Sequence, residues 1–175
     1  CSHSADIPRI KAPWKKWVQD ELITYVDDVE IHPTLLTDYI YECGKRYMIK
    51  MICIDNYRYA LMSDALSKIG FSVDRKNLKL VSKLEICKIV PVIDHCFING
   101  FFYWGNNPTL RWATNNTKTI RYGRDAGADK GSFVYAKIEA RSRKNDPFMA
   151  LVASMTAEGE IKEYIPLTGK CVLVM

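Results

Sequence analysis

The sequence predicts an α/β fold, and three observations carry this prediction. Segments with strand-like composition alternate with amphipathic helical segments, which is the order found in α/β domains. Residues 47–54 are almost continuously apolar, as in a strand that is covered on both faces. Residues 57–69 follow at once, with apolar side chains at spacings of three and four. We therefore expect a central mixed β-sheet flanked by helices, with residues 47–54 near its middle.

The composition is that of one globular domain and excludes several other classes. The 175 residues suffice for a real core, and 48% of them are hydrophobic and 26% charged, so we expect one domain over residues 1–175. No apolar run approaches the ~20 residues of a membrane span, and the first ten residues lack a signal-peptide pattern. The six cysteines form no C-x-x-C pair and lie apart from the histidines. Reduced thiols in a cytosol are therefore favoured over a zinc site or disulfides.

Local signals place the remaining elements along the chain. Pro13 suits the start of a helix, and His32-Pro33 ends a β-rich run. Ser82 and Glu85 have the spacing of a capping box, and Pro91 should kink or divide the helix that follows. The expected helices span residues 12–21, 34–47, 57–69, 82–99, 109–115 and 146–155. The expected strands span residues 22–31, 47–54 and 101–104 and the hairpin arms 118–122 and 133–138, with residues 78–81 and 171–174 as further candidates.

Two acidic residues stand where a metal could bind. Asp55 falls where the central strand should end, and ligands in open α/β sheets gather outside the carboxyl ends of the strands. Asp146 precedes Pro147 at the start of the last helix, where the helix dipole keeps a carboxylate ionised. For either residue taken alone, capping of a helix is the simpler explanation. An N-cap aspartate can still direct its other oxygen to a metal ion.

As a pair, the two carboxylates predict more than either does alone. Carboxylates about 4 Å apart repel by roughly 4 kcal/mol at an effective dielectric of 20. Such a pair needs a cation or a shared proton. We therefore expect Asp55 and Asp146 to hold Mg²⁺ or Mn²⁺ and to act in phosphodiester hydrolysis, provided that they meet in space.

The positive charge is concentrated in one part of the chain. Residues 117–144 contain eight basic and three acidic residues, which equals the net charge of +5 of the whole chain. A basic surface of this kind suits a polyanion such as double-stranded DNA, although an ordinary solvated hairpin has the same composition. The candidate DNA-binding residues are Lys118, Arg121, Lys137, Arg141, Arg143 and Lys144. The aromatic residues at 101–104 and Trp112 could stack on bases, but core packing explains them more simply.

Six motifs in order resemble the nuclease part of the large terminase subunit of tailed bacteriophages. They are RIKAPWKKW, IDNYRYAL, VIDHCF, WGNNPTLRW, TNNTK and KIEARSRKNDPFMALVASM, and together they cover about residues 5–156, leaving residues 157–175 as a tail. The resemblance implies an RNase H-like fold in which three acidic positions bind two divalent ions and cut concatemeric phage DNA. The second acidic position falls on Asp55 and the third on Asp146. A DNA-holding hairpin falls near residues 118–138.

The resemblance also implies that the chain is a fragment. The first acidic position of the family lies upstream of the part matched by Cys1, as does the ATPase domain, and no G-x-x-x-x-G-K-[ST] loop occurs here. Asp27 and Asp28 lie on a later predicted strand and do not replace the missing acid. Two functions stay open: a metal-dependent endonuclease, and a non-catalytic DNA-binding or assembly module. In either case the expected setting is the bacterial cytoplasm, with the small terminase subunit and the portal protein as partners and no membrane.

Overall fold

The computed structural model describes residues 7–123 and 132–161, apart from the side chain of Arg58. The described helices are α1 (Trp14–Gln19), α2 (Pro33–Gly44), α3 (Tyr59–Lys68), α4 (Lys83–Ile98), α5 (Pro108–Asn115) and α6 (Asp146–Met155). The described strands are β1 (Ile52–Asp55), β2 (Leu78–Val81), β3 (Thr117–Tyr122) and β4 (Ser132–Lys137). Single 3₁₀ turns lie at Ile7–Arg9, Asn56–Arg58 and Glu158–Glu160. The α/β class is confirmed, and the candidate strand at 171–174 lies outside the described residues.

Parallel and antiparallel pairing occur in two separate small sheets of the described chain. β1 and β2 pair in parallel from Ile52 opposite Leu78 onward. β3 and β4 form the expected hairpin, with Thr117 opposite Lys137. The strand expected at 47–54 is shorter and less covered than predicted, because Met48 is 77% exposed and pairing starts only at Ile52. Apolar composition alone therefore overstated the burial of this strand.

The strands expected at residues 22–31 and 101–104 are wrong. Neither segment pairs with another strand within the described residues. Tyr25 instead stacks on Trp14 with ring centroids 5.5 Å apart, and Val29 is 75% exposed. In the second segment, the rings of Phe102 and Trp104 stack with their centroids 5.5 Å apart, and both contact the ring of Phe97. Both runs have strand-like composition, but no neighbouring strand satisfies their backbone.

The helix that follows β2 begins with the predicted capping box. The Ser82 hydroxyl accepts a hydrogen bond from the Glu85 amide at 3.3 Å, and the Glu85 carboxylate accepts one from the Ser82 amide at 2.8 Å. The helix continues through Pro91, so the division that the sequence allowed does not occur. Pro91 lies on the exposed face of the helix. Water can there donate a hydrogen bond to the backbone carbonyl that a proline, which lacks an N–H group, leaves without a donor.

Lys79 joins this capping box to the segment after α6. Its ammonium group lies 3.2 Å from Glu85 Oε1, pairs with Glu160 and donates to the Thr156 carbonyl at 2.7 Å. Partial burial alone would raise the pKa of Glu85, but the hydrogen bonds from Ser82 and Lys79 outweigh it and lower the pKa below 4.5. A carboxyl group with a lowered pKa stabilises the fold above its unfolded pKa and loses that contribution as the pH falls.

Glu85→Gln should therefore flatten the dependence of stability on pH below about pH 4.5. Glutamine keeps an acceptor for the Ser82 amide but cannot titrate. Urea unfolding at about pH 7 and about pH 3.5 measures the change, with Glu158→Gln as an exposed control. An equal loss of stability on acidification in wild type and Glu85→Gln would contradict the assignment.

Helices α4, α5 and α6 enclose the main core of the described chain. Ile93, Ala113, Phe148 and Val152 form its buried centre. α6 contacts α4, α5 and β1, and α4 also packs on β4. The Phe148 ring of α6 contacts Tyr135 of β4, so α6 contacts both the hairpin and the parallel sheet. No helix among residues 7–123 and 132–161 combines the length and apolar character needed to cross a bilayer.

Candidate functional site

Asp55 lies at the carboxyl end of β1, as predicted, and is exposed. Its Oδ1 accepts a hydrogen bond from the Tyr57 amide at 2.8 Å and so caps the 3₁₀ turn that follows. This is the capping role that the sequence left open. A carboxylate has more than one acceptor site, so Oδ2 remains available to a cation.

Asp146 is the first residue of α6 and not its N-cap, which corrects one expectation. The N-cap position belongs to Asn145, whose buried side-chain amide donates instead to Thr117 Oγ1 at 3.2 Å. The Asp146 side chain is 72% exposed, and its Oδ1 lies 3.3 Å from Lys137 Nζ. An exposed pair of this kind contributes little stability, so the carboxylate is free to exchange partners.

The elements that carry the two carboxylates are in contact, since α6 packs on β1. The Thr156 carbonyl, just past the C-terminal end of α6, also accepts from Lys79 of β2 at 2.7 Å. Asp146 opens the same helix ten residues earlier, about 15 Å along its axis. Asp55 and Asp146 share no hydrogen-bond partner in the described part of the chain. Nor does that part contain a group of three or more His, Cys, Asp or Glu residues that could hold a metal ion.

The six candidate DNA-binding residues do not share one surface. Lys118 and Arg121 stand three apart on β3, so they point to opposite faces of the hairpin. Arg121 lies on the face that carries Lys137, whereas Lys118 pairs with Ala136 on the other face. Arg141 is exposed beyond the hairpin. Arg124 and Lys130, which also contributed to the predicted charge excess, lie outside the described residues.

The basic segment before α6 is held by Asn116, a residue that the sequence interpretation did not single out. The side chain of Asn116 is buried; it donates to the Lys144 carbonyl at 3.0 Å and accepts from Arg143 Nη1 at 3.3 Å. Its backbone carbonyl also accepts from the Ile138 amide at 2.8 Å. Through its side chain and its backbone carbonyl, Asn116 thus links the end of α5 to the residue after β4 and to two basic residues. The polar pair Asn115-Asn116 at the end of a short helix was a weak signal for this role.

Asn116→Ala should destabilise the fold by about 1–3 kcal/mol, because it removes a buried side chain that donates to the half-buried Lys144 carbonyl. Asn115→Ala is the matched control, since Asn115 is the exposed neighbour. Chemical denaturation of both variants measures the difference. Equal stability of the two variants would show that the Asn116 hydrogen bonds do not hold the basic segment.

A comparison with solved structures gives a clear match in fold. The crystal structure of the HK97 bacteriophage large terminase matches with a TM-score of 0.69 and 20% sequence identity. The match covers 84% of this chain but 29% of the HK97 chain, so the present sequence spans less than a third of that protein. No known family profile and no curated protein matches the chain. At this identity the likeness establishes a terminase-like fold, with small sheets flanked by helices.

Proposed function

We propose that the chain is the nuclease part of a phage DNA-packaging terminase and that it hydrolyses phosphodiester bonds of concatemeric double-stranded DNA. The observation that supports this proposal most directly is the fold match to the HK97 large terminase over 84% of the chain. The exposed carboxylates at the end of β1 and the start of α6 support this function, because they occupy the positions at which such a site was expected.

Mg²⁺ or Mn²⁺ is the cofactor that the donor chemistry favours. Asp55 and Asp146 offer carboxylate oxygens, which are the ligands that these hard cations prefer. Two carboxylates make an incomplete two-ion site, and the described residues add no third close donor. Bound divalent ions would supply activation of water and stabilisation of the leaving oxygen. The proposal therefore assigns both aspartates as ligands and requires further oxygens, from the DNA phosphate or from residues beyond the described ones.

The basic residues near Asp146 would hold the DNA backbone. Lys137 neutralises Asp146 in the DNA-free chain and can turn to a phosphate oxygen when a cation takes its place. Arg143 and Lys144 precede α6 directly and are fixed by Asn116. Contacts of this kind give affinity without sequence preference. We place the reaction in the host cytoplasm, with the small terminase subunit and the portal protein as partners.

A non-catalytic DNA-binding or assembly role is the second candidate. It is favoured by the separate partners of Asp55 and Asp146 and by the absence of a three-donor group in the described part of the chain. Both candidates predict salt-sensitive binding to DNA, and only the nuclease predicts cutting. The two are therefore distinguished by measuring binding and cleavage on the same preparation.

Plasmid nicking with Mn²⁺ and with EDTA tests the nuclease, and duplex affinity against salt concentration tests the binding. We expect Mn²⁺-dependent nicking, together with a salt slope that falls by about 2–3 when Arg141, Arg143 and Lys144 are replaced by alanine. Alanine at the exposed residues Lys68, Lys76 and Lys83 is the control of equal charge. Binding without nicking would select the second candidate, and an unchanged slope would exclude the basic segment as the DNA contact.

A further inference from the structure

A cleft of about 400 Å³ opens between α4, the hairpin and α6, and neither candidate function has used it. Its volume lies within the range of small-molecule sites. The side chains that matter for its chemistry are Asp94, Phe97, Thr119, Tyr135 and Phe148. They combine an aromatic wall with a few polar groups, which is the usual make-up of a ligand site.

The aromatic wall is fixed by ring packing and is partly open to solvent. The rings of Tyr135 and Phe148 meet edge to face at 5.0 Å, and Phe97 lies 6.2 Å from Phe148. Phe97 is also backed by Phe102 at 4.8 Å and remains 38% exposed. A rigid, half-exposed phenyl ring is a surface on which a planar ligand can stack.

The polar groups around this wall are in part unengaged. The Thr119 hydroxyl has no hydrogen bond among the described residues. Asp94 Oδ1 accepts the Tyr135 hydroxyl at 3.0 Å, which leaves Oδ2 open. Burial and the neighbouring Asp94 raise the pKa of Tyr135 above its ordinary value, so the phenol stays protonated and keeps this bond. The cleft thus offers a hydroxyl and a carboxylate oxygen beside an aromatic face.

Two elements that line the cleft also lead to Asp146. Phe148 lies two residues after Asp146 on α6. The hairpin reaches the same carboxylate through Lys137, the cross-strand partner of Thr117, which also lines the cleft. A nucleotide whose phosphate lies at Asp146 is therefore close enough to place its base in the cleft.

We propose that this cleft takes one unstacked base of the DNA strand whose phosphate lies beside Asp146. The inference rests on the proposed function, since it assumes that DNA is bound at Asp146. The base stacks on Phe97, its Watson–Crick edge donates an N–H to Asp94 Oδ2, and Lys137, on the hairpin face that carries Tyr135, holds the adjoining phosphate. All four bases present an N–H on that edge, so the cleft imposes no strong sequence preference. Single-stranded or frayed DNA is favoured, because unpairing a duplex base costs a few kcal/mol.

The test uses oligonucleotides that carry 2-aminopurine, with Ca²⁺ in place of Mg²⁺ to prevent cutting. Binding of the wild-type chain should raise the 2-aminopurine emission in a duplex several-fold, since the probe leaves its neighbours in the stack. Phe97→Leu, which keeps an apolar side chain without the aromatic face, should abolish the rise and weaken single-strand binding about fivefold or more. Phe101→Leu is the control, because Phe101 is exposed and does not line the cleft.

A second variant avoids any effect of Phe97 on folding. Lys137→Ala changes a partly exposed side chain and should lower the salt slope of single-strand binding by about one. Equal emission changes in wild type and Phe97→Leu, or an unchanged slope for Lys137→Ala, would overturn the base-binding cleft even if plasmid cutting persists. A Phe97-dependent rise without Mn²⁺-dependent nicking would keep the cleft and remove the nuclease. Absence of DNA binding by the wild-type chain would overturn both.

Discussion

Asp146→Asn should reduce Mn²⁺-dependent plasmid nicking by at least about 100-fold, and Asp55→Asn should do the same. Mutation of a residue that only hydrogen-bonds to a metal ligand lowers metal affinity or activity by roughly 10–100-fold. Loss of the ligand itself should therefore lower activity by more than that. Asparagine preserves size and hydrogen bonding but removes the charge that holds a divalent ion. Neither residue lies in the core, since both side chains are exposed. The loss should therefore occur without a change in the unfolding midpoint.

The double variant tests whether the two aspartates act on the same ions. Residues that work as a unit are strongly non-additive, so Asp55→Asn with Asp146→Asn should be no worse than either single variant. If the two losses multiply instead, the carboxylates act at separate places and the shared site is wrong. Asp64→Asn, an exposed aspartate on α3, is the control for loss of one negative charge. Wild-type nicking by both single variants would exclude Asp55 and Asp146 as ligands.

Elements with a complete local signal were predictable from the sequence. Pro147 and the apolar spacing after it place α6 at Asp146–Met155, as expected. Ser82 with Glu85 marks the start of α4, because a capping box satisfies amide groups within one turn. The segments at 22–31 and 101–104 have strand-like composition, but within residues 7–123 and 132–161 no strand pairs with them. A strand needs a partner from elsewhere in the chain, and composition does not identify one.

The positions of the two candidate acids in the fold were predictable, and their contacts were less so. Asp55 and Asp146 were identified because strand ends and helix starts are readable from local pattern. Two contacts depend on how the hairpin packs against α6: the Lys137–Asp146 ion pair and the hydrogen bond from Asn116 to the Lys144 carbonyl. Such contacts are tertiary, and no rule of residue spacing predicts them. For the same reason, the sequence did not predict that Lys79 of β2 joins the parallel sheet to the segment after α6.

Phe148→Ala should cause the largest loss of stability, because the Phe148 side chain of α6 packs against both α4 and the hairpin. Phe148 is 3% exposed and lies in the core with Ile93, Ala113 and Val152. Its ring also contacts Tyr135 of β4 at 5.0 Å. Removal of a buried phenyl ring costs about 3–5 kcal/mol, which for a chain of this size lowers the unfolding midpoint by roughly 10 °C.

Two further variants separate the causes of that loss. Phe133→Ala removes the same ring from a partly exposed position on β4 and should cost well under half as much. Phe148→Leu leaves a smaller cavity and should recover part of the stability, but it removes the edge-to-face contact with Tyr135. Calorimetric unfolding of the three variants measures both effects. If Phe148→Ala and Phe133→Ala lose equal stability, Phe148 does not join the hairpin to α6, and the cleft beside Asp146 has no fixed wall.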